Sequence, residues 1–133
     1  MKKLLVILCL PVLLMISCKQ DEGPRPVAEK FLTAMQAHQY EEAGKYGTDE
    51  TLKLLKQFEK IEKLNGIDSS LESTGKITIL SEDIKGKTAI VYFKEDGNEI
   101  EQHITLQKVD VDGHPVWRVA LKKEEIRLMQ EPA

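Results

Sequence analysis

Three histidines, two cysteines and a small set of aromatic side chains are the groups in this 133-residue chain whose types could do chemistry. His38, His103 and His114 lie far apart and show none of the paired spacing that marks zinc sites. A serine–histidine–aspartate arrangement would need a nucleophile-turn motif, and the chain has none. His103 is the best acid–base candidate, because such work needs a titratable group held inside a pocket. It shares its strand face with Thr105 and Gln107, however, and so reads as a surface histidine. Glu82, Asp83, Asp96, Asp110 and Asp112 fall in turns, and Glu101 alternates away from the Ile100 face. The reading therefore assigns no catalytic residue, no metal and no cofactor. Tyr40, Tyr46, Tyr92 and Trp117 are the candidate pocket-lining groups, since ligand sites are mostly apolar with a few polar atoms. For Trp117 and Phe93 closure of the core between helix and sheet is the favoured reading, and Tyr40 and Tyr46, amphipathic and close to the helical turn, are the better pocket candidates.

Cysteine chemistry has a more definite setting. Lys2 and Lys3 precede an unbroken apolar run of 13 residues, Leu4 to Ile16, followed by Ser17 and Cys18. A charged start, about 7–15 apolar residues and a small-residue cleavage site form the secretory pattern. The run is too short for a bilayer span, which needs roughly 17–25 residues. Cleavage after Ser17 places Met15 at the third position before the cut, where ordinary secretory cleavage wants a small residue. The segment resembles a bacterial lipoprotein signal peptide with its lipobox. That resemblance implies that residues 1–17 are removed, Cys9 with them, and that Cys18 becomes a lipidated N-terminus in the membrane. Two acyl chains and an amide-linked third, at about 0.8 kcal/mol per buried CH₂, make a firm anchor.

The processed chain is residues 18–133, or 116 residues, which suits one domain. Without Lys2 and Lys3 it carries 17 basic and 22 acidic side chains, a net charge of −5. That balance argues against nucleic acid and anionic headgroups as partners. Only Cys18 remains among the cysteines, so the fold needs no disulfide. Lys19 to Arg25 reads as a polar tether of seven residues, reaching about 25 Å at roughly 3.3–3.6 Å per residue. Its opening, Lys19-Gln20-Asp21-Glu22, resembles the acidic export signal of surface lipoproteins in Bacteroidetes-type bacteria. Lys19 is also unlike the inner-membrane retention signal of enteric bacteria, so the outer membrane is expected over the inner one.

From Pro26 the pattern turns helical, with Val27, Phe31, Met35 and His38 on one stripe beside Leu32 and Ala34. A short helical piece spans Tyr40 to Tyr46 and closes at Gly47. Thr48 or Asp49 then caps a longer helix in which Leu52, Leu55, Phe58, Ile61 and Leu64 recur every three residues, with Asn65-Gly66 as its stop. Residues 67–75 read as a polar connector. After it the period changes to two, giving strands at about 76–83, 87–94, 99–109 and 115–121 joined by short turns, hence antiparallel. Ile100, Ile104 and Leu106 share one face of the third strand. A terminal helix spans Lys122 to Gln130, whose Lys122-Lys123-Glu124-Glu125 reads as a solvated end. The expectation is an α+β domain over residues 26–121, with N-terminal helices packed on a curved four-stranded antiparallel sheet and residues 122–133 as a tail.

The segment Val27 to Met35 with Tyr40-Glu41-Glu42-Ala43 resembles the opening helices of the nuclear transport factor 2-like superfamily. More narrowly it is similar to a lumazine-binding-like lipoprotein subfamily, and Asp112 to Val119 resembles that subfamily's closing strand with His114-Pro115-Val116 lengthening its Gly-to-Trp spacing. The resemblance covers about residues 24–121. It implies a cone whose mouth lies between helices and the concave sheet face, used by relatives for ligands or catalysis, and homodimers paired through their sheets. The sequence thus points to an envelope lipoprotein binding a small apolar ligand or an envelope protein. An enzyme in the same pocket and a purely structural role are the alternatives.

Overall fold

The computed structural model describes residues 22–66 and 75–130. Cys18, the expected signal segment and most of the expected connector lie outside the described residues. Among the described residues four helices and four strands follow in the order α1 (Pro24–Gln36), α2 (Tyr40–Gly44), α3 (Asp49–Leu64), β1 (Ile77–Lys85), β2 (Thr88–Glu95), β3 (Gln102–Val111), β4 (His114–Val119) and α4 (Lys123–Gln130). The chain is α+β, and among the described residues the four strands form one antiparallel meander in the order β1-β2-β3-β4.

Two turns fix the meander. Gly86 has φ of 60° between β1 and β2, and Asp112 and Gly113 have φ of 50° and 80° between β3 and β4. Positive φ at both central residues is the turn geometry that matches strand twist, which is why an Asp-Gly pair sits there. Register then aligns Ala89, Leu106 and Val119 across three strands, with Val91 against Ile104. All five are fully buried. Val27, Ala28, Phe31 and Leu32 of α1 complete this core, and α1 contacts all four strands.

Several expectations are corrected here. α1 starts at Pro24, which is buried, so the domain begins before Pro26. It ends at Gln36, and His38 leaves the helical stripe for a left-handed turn with φ of 53°. β1 runs on to Lys85 and carries a register shift at Leu80, which lets the strand change the face it presents. Ile100 lies outside β3 and is 67% exposed. β4 starts at His114 and ends at Val119, ahead of the expected residue 121.

The α3 stripe is also corrected. Only Thr51 and Leu55 are buried on α3, while Ile61 is 51% and Leu64 77% exposed. Three residues turn a helix by only about 300°, so a strict three-residue repeat winds around the axis and leaves the core. The helix boundaries themselves hold. Thr48 Oγ1 accepts from the Thr51 amide at 3.3 Å as the N-cap, and Gly66 with φ of 65° follows the C-cap Asn65.

Between α2 and α3 the chain joins the sheet edge. Val119 N–H donates to Tyr46 O at 2.7 Å, and Thr48 N–H donates to Val119 O at 2.9 Å. At the other end Lys123–Gln130 is helical, and Glu125 is buried at 3% exposure against Thr105. The reading of Glu125 as part of a solvated end is therefore overturned: α4 reaches the sheet face opposite the core and satisfies a buried hydroxyl there.

Candidate functional site

Chemistry-bearing side chains converge where the α1–α2 turn meets α3. His38 sits in that turn, Tyr40 opens α2, and Glu62 lies on α3. Glu62 belongs to the inward series Thr51, Leu55, Phe58, Glu62, whose spacing of four, three and four keeps to one helix face. Its Oε1 lies 3.0 Å from His38 Nδ1 and accepts a hydrogen bond from the Tyr40 hydroxyl. The His38 and Tyr40 rings meet edge to face at 6.1 Å. The His38 and Glu62 side chains are 27% and 19% exposed, so one oxygen gathers three elements at a half-buried point.

The electrostatics follow from this placement. Burial, then the hydrogen bond to Glu62, then the negative charges of Glu62 and Glu59 hold the Tyr40 phenol well above its ordinary range near 10. Tyr40 thus stays a donor, and Glu62 is a fixed acceptor. The acceptor also orients the imidazole, the relationship that a base and its positioning group share in acid–base sites.

Recesses flank α2 on both sides. One of about 240 Å³ is lined by Tyr40, Glu41, Leu52, Leu55, Lys56 and Glu59. A wider groove of about 450 Å³ runs between α1 and α2, with Pro26, Lys30, Thr33, Ala34, Glu42 and Tyr46 along it. The Lys30 ammonium stands 5.8 Å from the centre of the Tyr46 ring. A third hollow of about 320 Å³ lies at the sheet end, between Thr78, Leu80, Lys94 and the turn from Asp96 to Glu99.

The four aromatic candidates are thereby separated. Tyr40 and Tyr46 line the two recesses beside α2. Trp117 is 7% exposed within the core, with Lys108 Nζ 5.6 Å from its ring. Tyr92 is half-buried on the opposite sheet face and pairs across strands with His103 at 6.0 Å between ring centres. His103 and His114 take no part in the cluster around Glu62. Among the described residues no three His, Cys, Asp or Glu side chains are placed to hold a metal ion, and no helix is long and apolar enough to cross a membrane.

By residue type Glu62 does not stand out among the lysines and glutamates of α3. The available signal was its place on the inward series, where a carboxylate needs a partner. No protein-family model matches the chain, and no curated protein or solved structure matches it.

Proposed function

We propose that this chain is a lipid-anchored protein of the cell envelope, held in the membrane through Cys18, whose domain binds a small apolar ligand or an envelope protein without catalysis. The observation that carries the binding role is the groove of about 450 Å³ between α1 and α2, floored by Ala34 and Tyr46. That volume falls within the roughly 300–1,000 Å³ of ligand sites. Helices preceding a four-stranded meander, with α1 contacting every strand, support a nuclear transport factor 2-like architecture. The anchor rests on the apolar run ending in Ser17-Cys18.

Two experiments test this reading. Cys18→Ala should lose acyl label and leave the membrane fraction; a wild type without acyl label overturns the anchor. Native mass spectrometry of the full chain extracted from its own membranes should show a retained mass or partner that Thr33→Trp, which fills the exposed rim of the groove, removes. An unaltered bare mass in both proteins overturns binding in the groove.

The enzyme reading is favoured by one observation, the imidazole of His38 held by Glu62 beside the Tyr40 recess. A turnover lost in both His38→Ala and Glu62→Gln, with folding intact, would establish it in place of simple binding.

A further inference from the structure

We infer that the outward face of α3 docks on an anionic phospholipid surface; the inference rests on the lipid anchor proposed above. The helix turns about 100° per residue. With Thr51, Leu55, Phe58 and Glu62 directed inward, Lys53, Lys56 and Lys60 fall together on the opposite side, and all three are exposed. Lys63 extends the row and pairs with Glu59 at 2.8 Å. Asp49 lies on this side too, four residues before Lys53, and with Glu50 it is confined to the first turn, so the row is cationic from Lys53 onward. Where the row ends, Leu64 and Ile61 stand 77% and 51% exposed.

This is the pattern of a helix lying on a membrane: a cationic row for phosphate headgroups, and large apolar side chains at its border for the acyl boundary. The overall acidity read from the sequence hides it, because the acidic residues of α3 are turned inward, paired or gathered at one end. The row spans about 16 Å from Lys53 to Leu64 at 1.5 Å per residue, a short helix-long footprint. A weak footprint suffices when the protein is already tethered. Since α1 starts at Pro24, only the five residues Lys19 to Gly23 separate Cys18 from the helix, a reach of about 17 Å at 3.3–3.6 Å each. With the chain anchored, docking is an intramolecular event whose effective concentration is set by this leash.

The test uses the acylated full chain on vesicles of phosphatidylcholine, with and without phosphatidylglycerol, and a water-soluble amine-acetylating reagent read by mass spectrometry. Lys53, Lys56 and Lys60 should react several-fold more slowly on the phosphatidylglycerol vesicles. The difference should vanish at about 1 M salt, where the screening length is about 3 Å. Lys85, at the end of β1, and Lys87, in the β1–β2 turn, should react equally on both. In Lys56→Glu/Lys60→Glu the remaining Lys53 should lose its protection. Equal rates on both vesicle types, with the chain bound to each, overturn the docking and leave the anchor standing. A chain that carries no acyl mass and floats with neither vesicle overturns the anchor and this docking with it.

Discussion

Thr105 on β3 and Glu125 on α4 meet on the sheet face that points away from the core: Thr105 Oγ1 donates to Glu125 Oε1 at 2.7 Å, and both residues are buried. The second oxygen, Oε2, accepts from the Lys122 amide at 3.0 Å, the backward half of a capping box. One carboxylate therefore starts α4 and fastens it to β3. Glu125→Ala should lower the unfolding free energy by about 1–3 kcal/mol, the range for a buried partner left unsatisfied. Urea unfolding of Glu125→Ala, Thr105→Val and the double variant checks this through a coupling of roughly 1 kcal/mol between the two sites. Additive losses would mean that the two side chains act independently.

Gly47 owes its type to crowding. A Cβ there would lie 2.8 Å from Thr51 Cγ2, and Thr51 is stiff, β-branched and fixed by its hydrogen bonds. At Gly44 a Cβ would run into Leu52 Cδ1, but that is the far end of a flexible side chain. Gly47→Ala should therefore cost about 1–3 kcal/mol, and Gly44→Ala distinctly less. Thermal unfolding of the pair decides the order; equal shifts would show that Thr51 yields as readily as Leu52.

The sheet was readable from the sequence because two signals agree: a period of two in residues 87–94 and turns such as Asp112-Gly113 that permit little else. The N-cap Thr48 and the stop at Asn65-Gly66 were readable for the same reason, being local. The groups that were missed depend on contacts between distant segments. Thr105 looks like a surface threonine until α4 covers it, and nothing in residues 102–111 announces a helix beginning at Lys123. His38 continues the α1 spacing by type, and only the turn to α2 takes it out of the helix. Glu62 is indistinguishable from Glu59 by composition; one faces His38 and Tyr40 and the other pairs with Lys63.

Thr51 ties α3 to the sheet edge. Its hydroxyl donates to Val119 O at 2.9 Å and accepts from the Leu121 amide at 3.1 Å, in a side chain only 1% exposed. The same hydroxyl accepts from Thr48 Oγ1 at 3.0 Å. Thr51→Val keeps the shape and removes all three bonds, leaving the Leu121 amide without its acceptor. A loss of about 1–3 kcal/mol is expected. Thr51→Ser, which keeps the hydroxyl, should recover most of that in the same denaturant titration. A serine variant as weak as the valine one would assign the loss to the methyl group instead.

Tyr40 gives the fold a dependence on alkaline pH. Burial and its bond to Glu62 raise its pKa above the unfolded value near 10. The sign follows from proton uptake: above about pH 10 the unfolded chain releases the phenolic proton while the folded chain keeps it. The stabilisation from neutral Tyr40 is fully present below that pH and is lost as pH rises toward the higher folded value. Tyr40→Phe removes the hydrogen bond to Glu62, at a cost of about 1 kcal/mol near neutral pH for a half-buried bond. It also removes the titration, so wild type and variant should differ by a constant amount up to about pH 9.5 and converge above it. Urea midpoints between pH 8 and 11 measure this. Ultraviolet titration of the folded wild type should show a phenol that resists ionisation well above pH 10, and the Tyr40→Phe variant should lack that resistant group. Parallel midpoints across the whole range, with no phenol resisting ionisation, would place Tyr40 in contact with solvent rather than in the clasp with Glu62.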